Sequence, residues 1–170
     1  MKKFILTLFI CVLAMAGFSQ SNSFYTNGDI TISLSPTVFL PMSAASTTKA
    51  QYGYSYETLY WANLHAGAGL EFGTRDFSNV GGGYVDHFTA LVAYRIIPFP
   101  TEPLLGRWSL MIRSGAQTFV NTGAKGTLLG FESDYALTHS VFVFADVEEN
   151  FETTADASGL SAKAGLKWRF

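Results

Sequence analysis

The sequence is poor in cysteine and in charge, and both shortages limit what the protein can be. Cys11 is its only cysteine, so internal disulfides cannot hold an exported domain together. Charged residues make up 14% of the chain and the formal net charge is −2, against roughly 25% charged residues in average domains. That balance argues against nucleic acid as a partner. Few charges, 15% aromatic residues and 16 glycines favour a barrel whose outer surface faces lipid over a solvated globule.

Long apolar runs are also missing, except at the amino terminus. Two lysines precede the apolar run 4–16, and Gly17-Phe18-Ser19 follows as a small-x-small cleavage site. A helical membrane anchor needs roughly 20 apolar residues, and no second stretch in the chain approaches even 18. We therefore predict a secretory signal peptide at 1–19 and a single domain at 20–170. Cys11 falls within that signal, and the residue before it is too large for a lipoprotein site.

The chain ends in a segment that alternates in polarity from Ser158 to Phe170. Side chains alternate across a strand, so this segment has one apolar face and one face that is cationic or small. The apolar positions are Leu160, Ala162, Ala164, Leu166, Trp168 and Phe170. A half-buried strand of a soluble protein shows the same alternation, but the termini of soluble domains usually fray. The closing strand of a membrane barrel cannot fray, because an open edge in lipid leaves backbone groups unsatisfied.

This terminal strand resembles the closing strand of Gram-negative outer-membrane β-barrels. In that family the terminal aromatic belongs to the signal recognised by the barrel assembly machinery. The resemblance assigns that role here to Leu166, Trp168 and Phe170. The whole predicted mature chain is similar in pattern and length to small eight-stranded barrels of the OmpA-transmembrane-domain and opacity-like type. This resemblance implies that the protein lies in the cell outer membrane, with lipid, lipopolysaccharide and the assembly machinery as partners.

Alternation elsewhere predicts seven further strands. The segment 50–75 is too long for one spanning strand of roughly 9–11 residues, so we place a turn near Glu57–Trp61. Pro36 interrupts the first strand, which predicts a bulge or an unpaired position there. The predicted strands lie around 29–42, 50–58, 62–75, 87–96, 108–121, 129–137 and 141–148. With the last strand the count is even, as expected when both termini lie on the periplasmic side. The predicted fold is an all-β, eight-stranded antiparallel up-and-down transmembrane β-barrel.

The mid-strand charges occupy the parity opposite the apolar face, so we expect them to point into the barrel. An eight-stranded barrel is just wide enough for side chains to fill it, and charges buried there are costly unless they are paired. We predict an interior salt-bridge network, with a narrow polar path as the alternative. The predicted members are Glu71, Arg95, Arg113, Glu132, Asp134, Asp146, Glu148 and Lys163. Lys167 and Arg169 share the same parity.

A hairpin loop predicted at 121–126 sets the expected pairing of Arg113. A reversal centred in that loop places Asp134 opposite Arg113 and Glu132 on the diagonal. A tight turn at the next connection places Asp146 opposite Glu132. Two facing carboxylates need a cation, which we expect from Arg113 and from Lys163 of the closing strand.

Three hypotheses of function follow. The first is a non-enzymatic, monomeric outer-membrane barrel with a structural or surface-interaction role and no cofactor. The second is a lipid A-modifying enzyme, in which His139 and Ser140 would act with Glu132 or Glu148. Adjacent residues in a turn point different ways, however, and the His-x-Ser spacing of outer-membrane deacylases is absent. The third is a soluble ligand-binding barrel with its apolar face inside. The histidines lack metal-ligand spacing, so we expect no metal site.

Aromatic residues near the predicted strand ends are typical of interfacial girdles. Tyr52, Tyr54 and Tyr56 continue the same alternation inside the second strand. Ligand stacking is an alternative role for these three tyrosines, although their spacing requires no ligand.

Overall fold

A computed structural model describes residues 24–42, 50–76, 83–99, 104–120, 123–152 and 158–170; the predicted signal peptide lies outside these ranges. The alternating segments form strands that each pair antiparallel with the next, and the last closes on the first. The strands are β1 (Ile30–Pro41), β2 (Gln51–Trp61), β3 (Ala66–Asp76), β4 (Tyr84–Ile96), β5 (Trp108–Phe119), β6 (Lys125–Ala136), β7 (Val141–Glu152) and β8 (Gly159–Arg169). The predicted closed, eight-stranded up-and-down barrel is confirmed.

The two faces of the barrel wall follow the parity predicted from the sequence. In β7, Ala145 and Val147 are exposed on the outside, whereas Phe144 and Asp146 are buried inside. Large apolar side chains stay exposed on the outer surface, as Phe131 is at 60%. The mid-strand charges are buried instead. This distribution is the reverse of the soluble ligand-binding barrel considered above, which would place its apolar face in the lumen.

The two ends of the barrel differ. One end, here called the turn end, carries both described termini, the tight turns 62–65 and 137–140, and a single 3-10 turn at Leu105–Arg107. The opposite end, the loop end, carries the connections that follow β1, β3, β5 and β7, and parts of these lie outside the described residues. This asymmetry places both ends of the described chain together with the two tight turns.

The turn between β2 and β3 lies later than the sequence predicted. The expected turn was Glu57–Trp61, but β2 continues through Trp61 and the chain reverses at 62–65. The side-chain carbonyl of Asn63 accepts bonds of 2.8 Å from the backbone N–H groups of His65 and Ala66. Such Asx bonding stabilises a turn at its own position. The correction moves Glu57 from a turn into the middle of a strand.

Packing inside the barrel explains why β2 extends this far. Leu59 and Trp61 point inward and are 0% exposed. Opposite them, a Cβ atom on Gly67 would lie only 2.9 Å from the Trp61 ring. Glycine at this position therefore leaves the space that the indole fills, and burial of the two apolar side chains favours a longer strand.

Pro36 lies opposite Tyr54 of β2 but is unpaired toward β8, and the strand has no bulge there. The ladder between β1 and β8 pairs Leu34 with Leu166 and resumes at Thr37 with Lys163 in the same register. Proline has no N–H to donate. The ladder toward β8 therefore leaves out Ser35 and Pro36, and no extra residue is inserted.

The register of β5 and β6 also corrects the sequence prediction. Arg113 faces Gly130, and Asp134 lies further toward the turn end, opposite Ser109. The cause is that Lys125 already belongs to β6, opposite Thr118, so the chain reverses about two residues earlier than predicted. Glu132 lies two residues from Gly130 and therefore remains on the diagonal from Arg113, as predicted.

Candidate functional site

The structure buries all eight residues predicted for the interior network. The most exposed of them, Lys163, is 6% exposed. Seven of the eight form ion pairs with one another or with two further residues, Glu57 and Lys167. The eighth, Arg95, contacts aromatic rings. We call the ion-paired set the lumen network: Glu57, Glu71, Arg113, Glu132, Asp134, Asp146, Glu148, Lys163 and Lys167.

Arg113 lies at the centre of the lumen network. Its Nη2 contacts Glu57 and lies 3.3 Å from Glu71. Its Nη1 lies 2.7 Å from Glu132 and 2.5 Å from Asp146. Glu57 faces Glu71 across β2 and β3, and Glu132 faces Asp146 across β6 and β7, as predicted. One planar guanidinium thus holds two facing pairs of carboxylates, a geometry that the donor fork of arginine suits.

Two lysines of β8 complete the network. Lys163 Nζ lies 2.7 Å from Glu71 and 2.8 Å from Glu148. Lys163 also lies 3.9 Å from Asp146, as predicted, but Glu132 is contacted by Lys167 instead. Lys167 Nζ lies 3.2 Å from Asp134 as well. Since the closing strand supplies both ammonium groups, the network forms fully only when β8 has joined the wall.

His65 and His87 have different surroundings. His87 Nε2 lies 3.5 Å from a carboxylate oxygen of Glu71, so His87 borders the network. A Cβ atom on Gly73 would lie 2.4 Å from the His87 ring, so glycine provides the space for it. His65 belongs to the turn after β2, not to a strand, and its Nδ1 lies 2.8 Å from the backbone oxygen of Arg95.

Sequence reasoning missed a polar contact near the loop end. Arg75 Nη2 donates to the side-chain oxygen of Asn150 at 2.9 Å, and Asn150 Nδ2 donates to Ser161 at 2.8 Å. The Arg75 guanidinium lies 4.2 Å from the centre of the Phe39 ring. The sequence had placed Asn150 in a loop, but the inward parity of Asp146 continues to it and could have identified it.

The residues before β1 close the lumen at the turn end. Tyr25 is 2% exposed, and its hydroxyl donates to the backbone oxygen of Arg107 at 2.8 Å. Burial raises the pKa of Tyr25 to about 12, so the donating hydroxyl stays protonated at neutral pH. The Arg95 guanidinium lies 4.7 Å from the Tyr25 ring and 3.5 Å from the Trp61 ring. Such cation–π contacts strengthen when they are desolvated.

Phe24 fixes this segment to the rim. Its backbone oxygen accepts a bond of 2.7 Å from Arg169 Nη1. Its ring stacks on His139 with centroids 4.7 Å apart, and the Arg107 guanidinium lies 4.9 Å from it. We call Phe24 and Tyr25 the stopper. Its contacts come from β4, β7, β8 and two connections, so it joins distant parts of the barrel.

The hydrolase set considered in the sequence is not assembled. His139 and Ser140 lie in the exposed turn 137–140, whereas Glu132 and Glu148 are buried and engaged by Arg113 and the lysines. Among the described residues, no group of three or more potential ligands could hold a metal ion. Within the same ranges, no helix has the length and apolar character needed to cross a membrane.

A closed eight-stranded antiparallel barrel with charges inside and apolar side chains outside is a transmembrane β-barrel fold. Solved structures share it. Neisserial surface protein A matches with a TM-score of 0.59 and 10% identity, over 84% of this chain and 98% of that one. OprG from Pseudomonas aeruginosa matches at 0.56 and 10%, over 88% and 99%. A de novo designed transmembrane β-barrel matches at 0.57 and 7%, over 85% and 97%. No family model and no curated protein matches the chain.

Arg113→Met should destabilise the barrel by about 3–5 kcal/mol, because it leaves buried carboxylates without their cation. Adding Glu132→Gln should recover part of that loss, since the two side chains lie 2.7 Å apart. Urea unfolding in lipid vesicles measures both variants. Asn150→Ala is the matched control, because Asn150 bonds to Arg75 and Ser161 outside the lumen network, and its loss should simply add to that of Arg113→Met. Additive losses for Arg113 and Glu132 would show that the two do not interact.

Tyr25→Ala should destabilise the barrel by about 3 kcal/mol, because it removes a buried aromatic ring and one face of the Arg95 contact. Tyr25→Phe keeps the ring and should cost about 1 kcal/mol for the lost hydrogen bond. The same unfolding titration measures both. Tyr84→Ala, at a loop-end position 69% exposed, is the control and should change stability little. Equal effects of Tyr25→Ala and Tyr84→Ala would argue against the stopper.

Proposed function

We propose that the protein is a non-enzymatic outer-membrane β-barrel with a structural or surface-interaction role, its lumen filled by the charged network. The observation that carries this proposal is the distribution of polarity. The outer wall leaves Leu34 54%, Val92 59% and Val147 55% exposed, while the lumen network is buried. Exposing so much apolar area to water is unfavourable, whereas the same surface is favourable in contact with the acyl chains of a bilayer.

Aromatic residues at the barrel ends support a membrane setting. Tyr84 at the loop end is 69% exposed, and Phe170 at the turn end is 75% exposed. Trp108 is the first residue of β5, and Trp168 is the last but one of β8. Both have the outward parity and lie near the turn end. Amphipathic aromatic rings concentrate where the hydrocarbon meets the headgroups. The strands between the two rims are 11–13 residues long, which is enough to span the hydrocarbon.

The loop end is the part of the barrel to which we assign a surface-interaction role. The stopper closes the turn end, and the lumen beyond it contains an apolar cluster that includes Leu59, Leu91 and Met111. The network then crosses the barrel at Arg113. These side chains disfavour the narrow polar path, and we assign the surface role to the connections at the loop end.

The lipid A-modifying enzyme remains the second hypothesis, and the geometry disfavours it. Its candidate base and nucleophile lie at the turn end, away from the outer leaflet, if the termini face the periplasm as in other barrels of even strand number. Unaltered lipid A on overexpression is the expected result, and altered lipid A would restore the enzyme hypothesis.

Ala164→Arg, midway along β8, should destabilise the folded barrel by about 2–4 kcal/mol, because a charge then faces hydrocarbon. Leu110→Arg should cost less, because Leu110 is the next outward position after Trp108 at the turn-end rim. Both residues are exposed on the outer wall. Tyr84→Arg, also outward but at the loop-end rim, is the matched control and should cost about 0–1 kcal/mol. Unfolding titrations in lipid vesicles measure all three. Neutral effects at Leu110 and Ala164 would mean that this face does not meet lipid.

Deletion of Trp168-Arg169-Phe170 should abolish assembly in the outer membrane, the role that the terminal aromatic has in the family the strand resembles. The residues also close the wall, since Phe170 N–H donates to the Ile30 oxygen at 2.9 Å. Membrane fractionation and heat-modifiable gel migration measure assembly. Phe170→Tyr keeps an aromatic end and should assemble normally. Normal amounts of the truncated protein in the outer membrane would contradict this role.

A further inference from the structure

The outward face of β2 differs from the rest of the wall. Every outward position of this strand carries a hydroxyl group, and the tyrosines among them are about half exposed. We call this set the tyrosine row: Tyr52 (62% exposed), Tyr54 (57%), Tyr56 (45%), Thr58 and Tyr60 (53%). Elsewhere in the described strands, no more than two consecutive outward positions carry hydroxyls.

Interfacial girdles account for only part of the tyrosine row. Girdle aromatics belong at the two membrane surfaces, which suits Tyr52 and Tyr60 at the strand ends. Tyr56 lies midway along β2, between the apolar side chains of Leu34 and Phe72 on the neighbouring strands. With the usual rise and tilt, the row covers roughly 19 Å of height, most of an apolar band about 25 Å tall. It therefore crosses the hydrocarbon.

Most of these hydroxyls have no partner within the barrel. Thr58 Oγ1 donates to the Tyr56 hydroxyl at 3.3 Å. Within the described residues, the hydroxyls of Tyr52, Tyr54 and Tyr60 bond to nothing. Acyl chains cannot hydrogen-bond, so a polar group facing them is unfavourable unless another molecule supplies the partner.

We propose that the tyrosine row is a dimerisation surface, and that its occupant is the row of a second copy of this chain. A phenol both donates and accepts, so two rows related by a two-fold axis are self-complementary, as an isologous interface requires. The partner must carry polar groups through the full height of the membrane. Lipid headgroups lie only at the two surfaces, whereas a second β2 has the same height and the same two-residue spacing.

The area of this surface suits a modest dimer. A tyrosine side chain buries about 150–250 Å² when it is fully enclosed, so the half-exposed tyrosines offer roughly 400 Å² per copy. Leu34 and Phe72 flank the row and are 54% and 40% exposed, which extends the surface on both sides. Stable interfaces bury about 800 Å² per partner. This proposed dimer departs from the monomer expected from the sequence, and it rests on the proposed membrane location, because the hydroxyls lack partners only in lipid.

The test measures association of the purified, refolded barrel in lipid vesicles, by energy transfer between donor- and acceptor-labelled copies. The wild type should associate, and Tyr54→Phe with Tyr56→Phe should weaken association at least about tenfold, which is about 1.4 kcal/mol. The matched control is Tyr135→Phe, which removes an outward hydroxyl from β6 and should leave association unchanged. Equal association of all three proteins, or none in the wild type, would overturn the proposal.

Oxidative crosslinking then locates the surface. Tyr56→Cys should yield a disulfide-linked dimer, and Val147→Cys, equally outward on β7, should not. Heat-modifiable migration of every sample reports membrane insertion separately. A barrel that inserts but crosslinks equally at both positions overturns the tyrosine row alone. A barrel that does not insert overturns the proposed membrane function first.

Discussion

The interaction on which the barrel interior depends is the contact between one guanidinium and two facing pairs of carboxylates. Antiparallel pairing places Glu57 against Glu71 and Glu132 against Asp146, and like charges in facing positions repel. Arg113 lies between the pairs and contacts all four carboxylates. A single side chain from β5 thus makes two unfavourable strand pairings compatible with a closed wall.

The closing strand and the stopper provide the surroundings that the buried contacts of Arg113 require. Buried charges need complete pairing, and β8 supplies it through Lys163 and Lys167 only when it closes against β1 and β7. The stopper then excludes water at the turn end. The outer wall needs no polar groups for stability in lipid, which is why the hydroxyls along β2 call for an explanation of their own.

The fold and most of the lumen network follow from a simple property of strands. Side chains alternate with a period of two, so the apolar positions of β8 fixed the inward parity of Lys163, and the same logic found Arg113 and Glu132. Glu57 was not predicted as a member of the network because the predicted second strand ended too early and placed Glu57 at a turn. Alternation continues through Asn63 in the sequence, and only the hydrogen bonds of its side chain show that the chain turns there.

Other features depend on contacts that no local pattern encodes. The register of Arg113 depends on where the β5–β6 connection is centred, and a glycine-rich loop leaves several choices. Tyr25 is buried because residues from several separate elements meet it at the turn end. Nothing in the polar sequence around it distinguishes a stopper from a solvated lead-in, since its burial arises only once the barrel has closed.

The central claim is that the apolar face of the barrel wall meets lipid. The 3 tryptophans of the chain allow the lipid contact of each face to be measured directly. Trp61 is 0% exposed inside the lumen, whereas Trp168 lies on the outer parity of β8. In vesicles of lipid with brominated acyl chains, single-tryptophan proteins should show strong fluorescence quenching at Trp168 and little at Trp61. Equal quenching at both positions, or stronger quenching at Trp61, would contradict the assignment of the faces.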